Sequence, residues 1–212
     1  MNIIKPSVEI LTPLDADTVY KHLERCGRVC YRSEHRIAEG SAEKFLSGII
    51  KSGHESVLEH YSITFKVICD RAVSHQIVRH RIASYSQESQ RYCNYTKDGF
   101  GRSVTFISPV WGNEHPELYD VWKRACQNAE DAYFCLIDSG CTPQEARTVL
   151  PNSTKTEIVC TMNVRELRHF LKLRTSPAAD PAIRQVSGML LDALKLKVPV
   201  LFGDIGEDNA EQ

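Results

Sequence analysis

"YSITFKVICDRAVSHQIVRHR", residues 61–81, contains the change of period from which the fold follows. Over its first nine residues Tyr61, Ile63, Phe65, Val67 and Cys69 alternate with Ser62, Thr64, Lys66 and Ile68, the period-two pattern of a half-buried strand. Asp70 can then cap a helix beginning at Arg71, in which Ala72, Val73 and Ile77 have helical spacing. Continued to Arg81, this helix places Gln76, Arg79 and His80 at i, i+3 and i+4, on one polar face. A strand that passes into a helix through a single capping residue predicts a chain in which strands and helices alternate.

The flanks keep that alternation. Upstream, residues 15–30 read as a helix, and "SAEKFLSGIIKSG" places Phe45, Ile49 and Ile50 on one face, with Ser41 as the expected N-cap and Gly53 as the stop. In "HESVLEH", Ser56 and Glu59 have capping-box spacing for a short helix. Downstream, "VTFIS" predicts a strand and residues 117–137 a long helix ending at Gly140. Thr142, Pro143 and Glu145 then start a helix leading to Arg147, which Pro151 ends. "KTEIVCTM" predicts another strand. Asn163 caps "VRELRHFLKLR", where Val164, Leu167 and Leu171 form the core stripe and Arg165 and His169 take another side. A last helix over residues 182–197 stops before Pro199, and the acidic "GDIGEDNAEQ" is expected to fray.

Bulk charge explains little, because 26 basic and 27 acidic residues among 212 leave a formal net charge of −1. Any anionic ligand must be held by a local patch. No repeat, low-complexity tract or linker divides the sequence, so one domain is expected, burying roughly 70% of the unfolded surface. The N-terminus "MNIIKPSVEILTP" lacks the apolar run of a signal peptide and no stretch is long enough to span a bilayer, so a cytoplasmic protein without membrane partners is expected. Eight dispersed cysteines without a CxxC pair predict reduced, mostly buried thiols, and no Cys or His spacing matches a metal site.

Chemistry concentrates in "RHRIASYSQESQRY", residues 79–92, read as a helix end and loop. Arg79, His80, Arg81 and Arg91 supply donors beside a single acid, Glu88, and lysine is absent. Such a stretch either surrounds a phosphate through forked arginine contacts or forms a solvated basic face. His54, Ser56, Gln76, Arg147, Asn163, Arg165, His169 and Arg174 could complete an anion site. Arg174 stands near the core stripe at i+3 from Leu171, where a cation needs a partner. Ser89 has no GxSxG context, and the nearness of Arg91 to Cys93 alone does not make a nucleophile. A polynucleotide-binding module and a hydrolase using Ser89 or Cys93 are the competing readings.

The same residues resemble a known family. Arg79-His80-Arg81 followed after seven residues by Ser89 is similar to the RHRx7S signature of the flavin-dependent thymidylate synthases, the ThyX family. "HESVLEH", the QxxRHR pattern ending at Arg81, "EARTVLP" and "NVRELRHFLKLR" resemble four further segments of that family, in the same order from residue 54 to 174. The resemblance implies an α/β (α+β) fold, a single catalytic domain over residues 1–212 with a mostly antiparallel sheet flanked by helices, assembling as a homotetramer whose sites draw on neighbouring subunits. It implies reductive methylation of dUMP to dTMP with 5,10-methylenetetrahydrofolate as carbon donor, FAD as cofactor and NADPH as reductant, without a covalent enzyme nucleophile and without nucleic acid as partner.

Carried over by residue, it assigns His54, Ser56, Arg79, His80, Arg81, Gln87, Asn163, Arg165 and His169 to FAD. It assigns Gln76, Arg79, Gln87, Glu88, Ser89, Gln90, Arg91, Arg147 and Arg174 to dUMP, with Ser89 and Arg91 on the phosphate and Arg174 as the catalytic cation at the uracil edge. Ser86-Gln87 stands where many members have Asn-Glu, so a carboxylate contact becomes neutral, and His169 stands where Asn also occurs.

Overall fold

Residues 1–96 and 101–206 are described by the computed structural model of the chain. In chain order its strands are β1 (Asn2–Ile4), β2 (Ser7–Ile10), β3 (Ser62–Asp70), β4 (Ala83–Gln87), β5 (Thr105–Ile107) and β6 (Lys155–Asn163). Its helices are α1 (Ala16–Arg28), α2 (Ser41–Lys51), α3 (Arg71–Ile77), α4 (Pro116–Asp138), α5 (Pro143–Ala146), α6 (Val164–Arg174), α7 (Pro181–Lys197) and α8 (Pro199–Phe202). Strand β3 has the expected alternation, burying Ile63, Phe65, Val67 and Cys69.

The four-stranded sheet has the order β2-β3-β6-β4. Tyr61, just before β3, accepts from the Val164 amide after β6, whereas Arg71, just after β3, donates to Asn152 before β6, so these two strands run antiparallel. A separate pair, β1 with β5, is parallel, with Ile3 opposite Phe106. The described residues cluster into two compact units, one drawn from Met1–Ser7, Val67–Arg79 and Ser86–Val159, the other from Val8–Lys66, His80–Tyr85 and Cys160–Gln212.

The first unit centres on Tyr95, Val104, Phe106, Cys126, Tyr133 and Ala146. Helix α4 ends as expected at Gly140, whose φ of 95° turns the chain while Gly140 and Cys141 donate back to Ile137 and Leu136. The Thr142 and Glu145 capping box then starts α5. Asp70 caps α3 by accepting from the Val73 amide at 2.7 Å.

In the second unit α1 buries Val19, Tyr20 and Leu23, and α6 buries Val164, Leu167 and Leu171 as its spacing predicted. Each such side chain contributes roughly 1.5–3 kcal/mol of burial. Helices α1 and α2 meet at Gly27, where a Cβ would lie 2.7 Å from Phe45 Cζ. Buried Arg168 of α6 forks onto Asp204 at 2.7 and 2.6 Å and also donates to the Leu201 carbonyl.

Several expectations are corrected. Ser41 is the first residue of α2 and Gly40, at φ 72°, takes the N-cap position; the Ser41 hydroxyl instead donates to buried Glu24 at 2.7 Å. Ser56 lies inside a 3-10 turn, Glu55–His60, that has no side-chain cap, because Glu59 is drawn to Arg165. Helix α3 stops at Ile77, tightened by bonds from Val78 to Ser74 and from Arg79 to Gln76, so Arg79 and His80 lie beyond the helical face expected to hold them. What reads as loop after Arg81 contains strand β4. Cys69, Cys126 and Cys160 alone of the eight free cysteines are buried, so the thiols are not mostly buried. The start of the acidic tail does not fray: Asp204 is held by Arg168 and Ile205 is 2% exposed. Residues 207–212 of that tail lie outside the described residues.

Candidate functional site

Helix α2 ends in a turn that sets the first group of site residues. Gly53, at φ 69°, allows its own amide to bond Ile50 and that of His54 to bond Ile49, which delivers exposed His54 at the start of the 3-10 turn. His54 and Ser56 line a cavity of about 410 Å³ whose apolar wall includes Phe45, Ile49 and Val57, with Arg165 on its polar side. A second cavity, about 450 Å³, is lined by Asn163, His169, Glu166, Glu59 and Ile82. Both share Arg165 and Glu55. Asn163 therefore has two roles, since its side chain also caps α6 by accepting from the Glu166 amide at 2.9 Å. Arg165 donates to Glu59 at 2.6 Å, with Glu55 3.9 Å from its Nε.

His80 turns inward. Its Nδ1 lies 3.3 Å from Glu166 Oε1, and its Nε2 accepts from Arg174 Nε at 3.1 Å. Phe170 meets the ring edge-on at 4.9 Å and the His169 ring is 5.9 Å away. Burial, then the Arg174 charge, hold the imidazole below its ordinary value of 6.5, with Glu166 opposing. Arg79 and Arg81 are exposed and line neither cavity.

Residues assigned to the nucleotide are placed in the first unit, apart from Arg174. Gln76 is in the last turn of α3. Gln87 donates both amide hydrogens, to Ser74 Oγ at 2.9 Å and Thr156 Oγ1 at 3.1 Å, where a carboxylate could only accept. Its carbonyl oxygen is then the remaining acceptor, which accounts locally for glutamine at this position. Glu88 is pinned by Lys155 at 2.9 Å and its amide donates to the Glu157 carbonyl. Ser89 accepts from the Arg91 amide, Gln90 is buried, and exposed Arg91 lies over the Tyr92 ring at 5.5 Å. Arg147 is half-buried just after α5. Burial first, and Glu88 second, push the Cys93 thiol above its ordinary value, opposite to what a thiolate nucleophile needs.

Sequence reasoning missed Glu55, Glu59, Glu166 and Lys155. The two glutamates of "HESVLEH" and the acid in the first turn of α6 were visible, but the partners they meet in the fold lie 86 to 113 residues away. Among the described residues no group of His, Cys, Asp and Glu could hold a metal, and no helix is long and apolar enough to cross a membrane.

Comparison with known proteins extends these observations. The family model described as thymidylate synthase complementing protein matches residues 15–200. A flavin-dependent thymidylate synthase of Geobacter sulfurreducens is 42% identical over 186 residues, covering 84% of this chain and 78% of the relative. One from Pyrococcus furiosus is 39% identical over 183 residues, covering 86% and 74%. Among solved structures, the UMP/dUMP methylase PolB from Streptomyces cacaoi bound with 5-Br dUMP matches with a TM-score of 0.82 at 25% identity, covering 96% of both chains. The family match spans both groups of residues, from the end of α2 through the arginine-rich stretch to the end of α6, and the chain belongs to the flavin-dependent thymidylate synthase family.

Proposed function

We propose that the chain methylates dUMP reductively to dTMP, using 5,10-methylenetetrahydrofolate as carbon donor, FAD as cofactor and NADPH as reductant. The observation that carries this reading is the convergence of His54, Ser56, Asn163, Arg165 and His169 on two cavities that share Arg165 and Glu55. The fit to FAD is chemical: an apolar wall of Phe45, Ile49 and Val57 suits a flat aromatic ring, and Arg165 suits a phosphate. Bound FAD, reduced by NADPH, would supply the hydride, a chemistry no side chain provides.

The chain's own residues bind and polarise. His54 and Ser56 would orient the ring, and Asn163 and His169 would donate hydrogen bonds. Arg165 would exchange Glu59 for a ligand oxygen. Arg79, Arg81 and Gln87 complete the FAD assignment, with His80 contributing through its backbone because both ring nitrogens are engaged. Gln76, Arg79, Gln87, Glu88, Gln90 and Arg147 would fix dUMP, with Ser89 and Arg91 on its phosphate. Arg174 would stabilise negative charge on the uracil and so raise the nucleophilicity of C5. No covalent enzyme nucleophile is needed, in keeping with the raised Cys93 thiol. In this reading the chain is one catalytic domain of a cytoplasmic homotetramer whose sites are completed by neighbouring subunits.

Purified protein should be yellow, and with NADPH and methylenetetrahydrofolate it should convert dUMP to dTMP. A protein that neither binds FAD nor forms dTMP would overturn the reading.

A further inference from the structure

We propose that Glu166 is a positioning residue that fixes the proton of His80 on Nδ1 and thereby anchors the guanidinium of Arg174. An arginine Nε–H can only donate, so the His80 Nε2 that receives it at 3.1 Å must carry a lone pair. The ring proton then belongs on Nδ1, which faces Glu166 Oε1 at 3.3 Å. Without that carboxylate only the Arg174 N–H itself favours this tautomer, and the ring can move its proton to Nε2, where it would face the Arg174 N–H, donor against donor, and push the guanidinium away.

The scaffold makes the arrangement selective. Glu166, Phe170 and Arg174 stand four residues apart along α6, so one helix face presents the acid in its first turn and the cation in its last. His80 spans the distance between them, packed on Phe170 at 4.9 Å, with its carbonyl held by the Tyr85 hydroxyl. The ring is 6% exposed, so water cannot readily take the place of either partner. The titratable and charged groups facing it are Glu166, His169 and Arg174, and burial together with Arg174 keeps it neutral near pH 7.

The functional part of the inference rests on the role proposed for Arg174; the tautomer does not. The His80 ring nitrogens can be read by nitrogen-15 NMR of the full-length protein, and dUMP turnover measured in parallel. Wild type should show the Nδ1–H tautomer. Glu166→Leu should shift it towards Nε2–H and lower kcat on the order of 10- to 100-fold, with a much smaller change in KM, as expected of a misplaced catalytic group. Glu166→Gln, whose amide oxygen still accepts from Nδ1–H, should keep the tautomer and rescue most of the turnover. An Nε2–H tautomer in wild type, or a Glu166→Leu variant with unaltered tautomer and kcat, would overturn the proposal. If Glu166→Leu fails to fold, an Nε2–H tautomer in wild type, or a Glu166→Gln variant that folds with the Nε2–H tautomer, still overturns the proposal. Wild-type protein that makes no dTMP, yet shows the tautomer and its shift, would refute the thymidylate reading while leaving the anchor standing.

Discussion

Asp204→Ala strands the guanidinium of Arg168, and the size of the effect follows from how unequally the two partners are buried. The Arg168 side chain is 1% exposed, whereas Asp204 keeps 43% of its side chain in solvent. The substitution removes two charge-assisted hydrogen bonds of 2.7 and 2.6 Å. Breaking a fully buried ion pair from one side costs about 3–5 kcal/mol. Water entering at the half-exposed carboxylate position replaces part of this, and Glu55, 3.6 Å from Arg168 Nε, keeps some counter-charge, so about 2–3 kcal/mol is expected. At about 2.1 cal/mol/K per residue, unfolding 212 residues carries about 0.45 kcal/mol/K, and Tm should fall by about 4–7 °C. Asp204→Asn, which retains one acceptor, should lose roughly half as much. Burial raises the Asp204 carboxyl, but the Arg168 bonds and charge outweigh it and hold it below 3.8. The stabilisation is therefore present above pH 3.8 and lost as pH falls through the lower folded value, so the gap between wild type and Asp204→Ala should narrow in acid. Calorimetry and urea titration with a shared m-value provide the measurement. A Tm within about 1 °C of wild type for Asp204→Ala at neutral pH would refute the reasoning.

Gly27→Ala should destabilise by about 1–3 kcal/mol, because its Cβ meets Phe45 at 2.7 Å and Val57 at 3.1 Å; urea midpoints test this. The folded state resists protonating His80, so stability should decline as pH drops below 6.5, and the decline measured by Tm from pH 7.5 to 5.5 should be shallower in His80→Gln. Arg91→Ala, removing the phosphate contact proposed for Arg91, should weaken dUMP binding by about 1.5–3 kcal/mol, read by calorimetric titration, with little change in Tm. Glu59→Ala frees Arg165 from its 2.6 Å partner and should tighten FAD binding, measured by flavin fluorescence quenching.

Much of the scaffold is legible in local pattern. β3 could be read from alternation, α6 from its apolar stripe, and three helix starts from Asp70, Asn163 and the Thr142–Glu145 box, because capping needs only neighbours within three residues. The end of α3 could not. Val78, Arg79 and His80 are acceptable helix residues, and the chain leaves the helix because the His80 ring finds Glu166 and Arg174, 86 and 94 residues on. Strand β4 was hidden for a related reason: "ASYSQ" has half-buried and exposed residues in alternation but no strong apolar face. The cavity residues His54, Ser56, Asn163, Arg165 and His169 were legible as candidates for an anion site and were assigned to FAD by family likeness, whereas the glutamates that restrain Arg165 and orient His80 emerge only when distant segments meet.

The discontinuity of the second unit has a consequence for synthesis. Its first cavity takes one wall from residues 27–57 and closes with Arg165, made more than 100 residues later. At roughly 5–20 residues per second, about 5–20 s pass on the ribosome between the synthesis of this wall and that of Arg165. Over that interval Phe45, Ile49 and Val57 present an unfinished apolar surface to chaperones and to other nascent chains. Slower elongation between α3 and β6 would lengthen this exposure without changing a single residue of the finished protein.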